Sequence, residues 1–182
     1  MNDTHALSAA DYQVRTDGTI HISEAGRDIE RTYRDAERAF DTLQLSWAGA
    51  CLAALFVRHA WLQSARITLS ASAEYDDQGG TYRSISNSVA QVVPVADAAW
   101  PETVIADGVF DGSGAIGVIE SHLDEIDFDL YSSIRPAPGG YGDVVLDLNR
   151  AAIVSMLNGE TVSGAQAYRA WFPDAQDPPP WP

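Results

Sequence analysis

Lysine is absent from this chain of 182 residues, so all eleven basic side chains are arginines. Cysteine occurs once, as Cys51. A single thiol excludes an intramolecular disulfide and a cysteine-based zinc cluster. Its place in an apolar run predicts an inert buried thiol rather than a nucleophile. Long hydrophobic runs are also missing. The longest uncharged apolar stretch, residues 42–57, is shorter than the roughly 20 residues needed to cross a bilayer. The opening MNDTHALSAAD is polar and acidic, without a basic segment leading into an apolar one, so no signal peptide is expected. The expectation is a soluble, cytoplasmic protein.

Catalytic signatures are scarce as well. His5, His21, His59 and His122 form no H-x-x-x-H or H-x-E grouping, and there is neither a G-x-S-x-G elbow nor a P-loop. Carboxylate pairs suited to acid–base work arise by chance in so acidic a chain. Asp76 with Asp77, and Asp107 with Asp111, lack the D-x-[DN]-x-[DN]-G spacing of a calcium loop and read as turn acids. No cofactor or metal is expected.

Acid is plentiful. The net charge is −15 and unevenly spread. Residues 1–70 carry nine acids and seven arginines, a net of −2, whereas residues 71–182 carry seventeen acids and four arginines, a net of −13. Between Arg83 and Arg135 there are nine acids and no arginine. Such a field repels nucleic acid and anionic membrane and attracts basic surfaces. It also serves plain solubility.

The chain is organised around residues 65–93. Ile67, Leu69, Ala71, Ala73 and Tyr75 alternate with Thr68, Ser70, Ser72 and Glu74, the period of a half-buried strand. Asp76-Asp77-Gln78-Gly79-Gly80 supplies a turn, since glycine takes the positive φ that a tight hairpin requires. Thr81 to Val93 returns, with an irregular alternation that allows a bulge near Asn87. The predicted domains are a leader over 1–22 with a short strand at Thr19–Ile22, one body over 23–172, and a proline-rich tail over 173–182.

Ser23 is placed to cap a helix. Ile29, Tyr33, Ala36, Phe40, Leu43 and Trp47 then recur at spacings of four and three, an apolar helical stripe. Arg27, Arg31, Arg34 and Arg38 share the other faces with acids, and read as a solvated surface more readily than as a phosphate site. A second, mostly apolar helix is predicted from Ser46 to Ser64, with His59 near its end as a helix-end cation or a satisfied neighbour rather than a catalyst.

Residues 94–101 read as a connector. Gly112, Gly114 and Gly117 spell G-x-G-x-x-G, but the preceding strand is broken by Asp107-Gly108. Asp111 would also repel a pyrophosphate. A helix over 115–131 follows from Ile116, Ile119, Leu123, Ile126 and Leu130, with Phe128 off the stripe. Pro136, Pro138, Gly139 and Gly140 end it. Residues 143–157 read as a second hairpin turning at Asn149-Arg150, or as a strand followed by a helix from Asn149. Trp171 and Trp181 are expected to pack back on the body.

Two segments, ARITLSASAEYDDQGGTYRSIS and LDEIDFDLYSSIRPAPGGYGDVVLDLNRAAIVSML, mark out residues 65–157, about half the chain. Their order resembles a family of small bacterial proteins of unknown function common on plasmids and phages. Met156-Leu157 stand where the resemblance implies a histidine. It implies an α+β fold and a mobile-element setting, and no activity.

The expected fold is α+β, an antiparallel sheet from two hairpins packed against N-terminal helices and one middle helix. The expected function is a non-enzymatic acidic module that binds a basic surface of a nucleic-acid-binding protein or nuclease. The residues expected at that contact are Glu120, Asp124, Glu125, Asp127 and Asp129, then Asp76 and Asp77. A small metal- or nucleotide-dependent enzyme and a structural or assembly subunit are the alternatives.

Overall fold

The computed structural model describes residues 10–134 and 141–174. The expected Gly139-Gly140 break and Trp181 lie outside those residues, as does most of the proline-rich tail. The chain divides into two compact units, Met1–Asp41 and Thr42–Pro182.

In the first unit β1 (Tyr12–Val14) pairs antiparallel with β2 (Ile20–Ile22), and helix α1 (Glu24–Arg58) begins two residues later. Ser23 caps that helix as expected: its Oγ accepts from the Gly26 amide at 3.2 Å and from the Asp11 amide at 3.0 Å. Tyr12 donates to Glu30 at 2.7 Å, which fastens the hairpin to the second turn. The arginine face is a mixed, solvated one. Arg31, Arg34 and Arg38 pair with Asp28, Glu30 and Asp35.

Two N-terminal helices were expected, and one is found. Nothing between Phe40 and Trp47 breaks a helix, so Ser46 lies inside α1 rather than opening a second helix. The apolar stripe from Ile29 to Trp47 departs from expectation too, because most of it faces solvent. By length and composition alone α1 could cross a membrane. Ala48, Leu52, Ala53, Leu55 and Phe56 of its second half are nevertheless buried in the protein core.

The second unit is built on a three-stranded antiparallel sheet in the order β4-β3-β7, which bears out the α+β class. Strand β3 (Leu62–Tyr75) is central, between β4 (Thr81–Pro94) and β7 (Gly142–Asn149). Leu62, Ala65, Ile67, Leu69 and Ala71 enter the core. The alternation continues beyond Ala71, but the core does not: Ala73 and Tyr75 are exposed. The register slips at Arg66/Ile67, where Ala90 is the extra residue on β4, three positions beyond the expected bulge at Asn87. Arg66 and Asp147, opposite one another on β3 and β7, form a two-pronged ion pair at 2.7 and 2.8 Å.

The second hairpin does not form. After β7 the chain makes a 3-10 turn (Arg150–Ala152) and a short helix α4 (Val154–Leu157). Asn149 causes the switch, since its side chain accepts from the Ala151 amide at 2.8 Å and caps the turn. Ile153 to Leu157 is thus the helical alternative; so short an apolar run has no decisive period. Helix α5 (Gly164–Trp171) closes the unit, with the Trp171 ring 5.5 Å from that of Phe56.

The G-x-G-x-x-G segment has a plain structural role. Asp107 and Gly108, at φ 52° and 79°, are the turn of a hairpin between β5 (Ile105–Ala106) and β6 (Val109–Phe110). Asp111 then caps helix α2 (Gly112–Leu123) by accepting from the Ser113 amide. An antiparallel hairpin in this place is not the parallel unit that a dinucleotide fold requires. The predicted helix over 115–131 is split, because the chain turns after Leu123 and starts α3 at Asp127 (Asp127–Ile134). The turn lets Leu123, Leu130 and Tyr131 all reach the core.

Candidate interaction site

Helices α2 and α3 track the outer strand β4. Glu120 accepts from the Val89 amide at 3.0 Å. Asn87 donates to Asp124 at 2.8 Å and to Asp127 at 3.3 Å. Arg83 donates to Ser132 at 3.0 Å. The expected contact residues therefore separate by role. Glu120 satisfies a strand amide beside the bulge, and Asp127 is half-buried against Asn87. Asp124, Glu125 and Asp129 are exposed.

Phe128 stands among these carboxylates, 55% exposed. The Arg83 guanidinium lies 5.4 Å from its ring centre, a cation–π contact that holds the ring in place. The departure of Phe128 from the apolar stripe was a sequence signal for this position.

Asp76 and Asp77 do not join the group. Asp76 is the brace of the β3–β4 turn, where its Oδ1 accepts from the amides of Gln78 (2.9 Å) and Gly80 (2.6 Å). The turn begins beyond Thr81, six residues along β4 from Asn87, or about 20 Å. Among the described residues no group of three or more His, Cys, Asp or Glu side chains could hold a metal ion. Asp76, Asp77, Asp107 and Asp111 are likewise not brought together.

A second cluster borders the acids and was invisible in the sequence. His59 Nε2 lies 3.2 Å from His122 Nδ1, and His122 Nε2 lies 3.3 Å from Arg58 Nη1. The two rings are 63 residues apart in sequence, a separation no local motif spans. Arginine can only donate, so His122 Nε2 accepts. His122 Nδ1–H then donates to His59 Nε2, and both rings are neutral. Burial holds both pKa values below the ordinary histidine range, with Arg58 adding to the effect. Glu125, 4.0 Å from Arg58, opposes it at His122. Cys51 is pushed up to about 11, first by burial and then by the charge of Asp129, so it remains a thiol at neutral pH.

The histidine pair makes a pH prediction. Unfolded, both rings titrate near pH 6.5, and folded they titrate lower. Below about pH 6.5 the unfolded chain therefore takes up more protons, and stability falls as pH drops toward the folded values. Urea midpoints measured from about pH 7 down to 5 should decline for the wild type and flatten in the double variant His59→Gln/His122→Gln. Equal slopes would remove the histidines from the explanation.

Compared with known proteins, the chain matches no protein-family model, no curated protein and no solved structure.

Proposed function

We propose that the protein is a non-enzymatic acidic interaction module whose α2–α3 junction docks on a basic protein surface, of the kind that nucleic-acid-binding proteins and nucleases present. The observation that carries this reading is Phe128, exposed between Asp127 and Asp129 with Asp124 and Glu125 nearby. Binding surfaces commonly set an aromatic anchor inside a polar rim. The rim is acidic, so its partner offers arginine or lysine around an apolar slot. Like charges would exclude free nucleic acid from the same face.

A pull-down from nuclease-treated bacterial lysate, at low and high salt, tests the proposal. A basic protein should be retained at low salt and released at high salt, since screening weakens exposed charge pairs. Phe128→Ala should weaken binding by roughly 2 kcal/mol, the scale of an interface hot spot. Asp124→Asn/Glu125→Gln/Asp129→Asn should mainly slow association. Undiminished capture by both variants would sink the reading.

A further inference from the structure

The exposed stripe on α1 has a strict period. Ile29, Tyr33, Ala36, Phe40, Leu43 and Trp47 follow spacings of 4, 3, 4, 3 and 4, the alternation of the two apolar positions of a heptad. A helix that buries such a stripe against its own globular core generally shows a broader apolar face; a seam this narrow is the mark of helix-on-helix pairing. On α1 the seam is uncovered: Ile29 is 61% exposed, Tyr33 67%, Phe40 55% and Leu43 64%.

We infer that α1 pairs with α1 of a second copy of this chain, antiparallel about a two-fold axis near residue 38. The sizes of the side chains choose the occupant and the direction. In an antiparallel pair each layer sets one heptad position against the other. Phe40 then lies over Ala36 of the second copy, Tyr33 over its Leu43, and Trp47 over its Ile29. Every layer joins a larger ring to a smaller side chain, as close packing requires. A parallel pair would stack Tyr33, Phe40 and Trp47 each on itself and leave Ala36 facing Ala36 across a gap.

The area is sufficient. The large side chains leave on the order of 500 Å² of apolar surface per copy. Two copies withdraw about 1,000 Å², the size at which specific interfaces begin.

The flanks permit the pairing. On one side stand Glu30, Glu37 and Gln44, and on the other Thr32, Ala39 and Ser46. Antiparallel pairing places Gln44 beside Glu30 of the second copy, where an amide can donate to a carboxylate. Ala39 meets Ala39 at the axis, where its small side chain permits close approach. Glu37 meets its own counterpart, a like-charge encounter that salt relieves. This association should therefore tighten with salt, the opposite of what is expected at the acidic face around Phe128, so the two proposals fail separately.

Sedimentation velocity on the full-length protein, at tens of micromolar, should give the dimer mass. Phe40→Glu and Leu43→Glu should each weaken association at least tenfold with an unchanged circular dichroism spectrum. Arg31→Glu, on the outer face of the same helix, should leave the dimer intact. Spin labels at residue 28 should lie about 30 Å apart along the axis in the antiparallel dimer, whereas a parallel one brings them directly across from each other. A monomer at every concentration, or a dimer indifferent to both seam variants, overturns the inference. So does a monomer that binds phosphatidylcholine vesicles through the seam, which would assign the seam to a membrane. A short label distance overturns the antiparallel arrangement.

Discussion

Gly164→Ala is expected to destabilise the protein by about 3 kcal/mol or more, although alanine is the better helix former. Gly164 opens α5 where it crosses α1 at Gly49, and the two backbones touch there. A Cβ on Gly164 would run into the Ser46 carbonyl and come within 2.8 Å of the Ala50 amide nitrogen. One on Gly49 would run into the Gly164 carbonyl and come within 2.8 Å of the Tyr168 amide nitrogen. These neighbours are backbone, so no rotamer change relieves the clash, and one helix must move off the other. Gly117, in the middle of α2, is the matched control. Nothing lies within 4 Å of a Cβ there, so Gly117→Ala should stabilise by up to about 1 kcal/mol. Urea unfolding of the two variants should shift in opposite directions. A shift of the same sign in both would mean that propensity, not the close crossing, governs these positions.

Arg150→Ala should cost about 3 kcal/mol, or roughly 10 °C of melting temperature for a chain of this size. The Arg150 guanidinium donates to three carbonyls: Phe56 at 2.6 Å, His59 at 2.9 Å and Leu62 at 2.7 Å. The first two lie at the end of α1, where carbonyls lack helical partners and the helix dipole favours a cation. The third lies at the start of β3. One side chain thus fixes the angle at which the central helix passes into the central strand. The ring of Phe56 lies 5.6 Å beneath the guanidinium. Removing the fork would leave half-buried acceptors unpaired, which costs more than the net value of the bonds. Arg150→Lys should recover only part of the loss, because a single ammonium cannot reproduce a planar fork. A loss under about 1 kcal/mol for Arg150→Ala would show that water replaces the fork freely.

The legible parts of the fold are those written in local periods. The β3–β4 hairpin appears in the sequence as alternation around a glycine-closed turn, and Ser23 announces the start of α1. Arg150 is legible only as a turn residue, because its three acceptors lie far from it in sequence and carry no signature. The same holds for His59 and His122. The stripe from Ile29 to Trp47 was visible as a pattern, but a pattern does not say which surface will cover it. The acids were legible as a composition, and Asp76 and Asp77 as turn acids, but the separation of Glu120, Asp124, Glu125, Asp127 and Asp129 into strand partner and exposed rim was not. That division depends on where α2 turns after Leu123.

The central place of β3 also sets an order of events during synthesis. Its partner β4 follows after a five-residue turn and can zip up locally. Its other partner, β7, is made much later, and the pair Arg66–Asp147 closes a separation of 81 residues. Such distant pairings form late, because loop closure must be overcome before any contact is gained. A nascent chain that stops before Gly142 therefore leaves the second edge of β3 open along Ser64 to Ala71. That edge is one on which a strand from another molecule can settle. Stalled or truncated chains of this protein should aggregate more readily than the finished one, for want of one late strand.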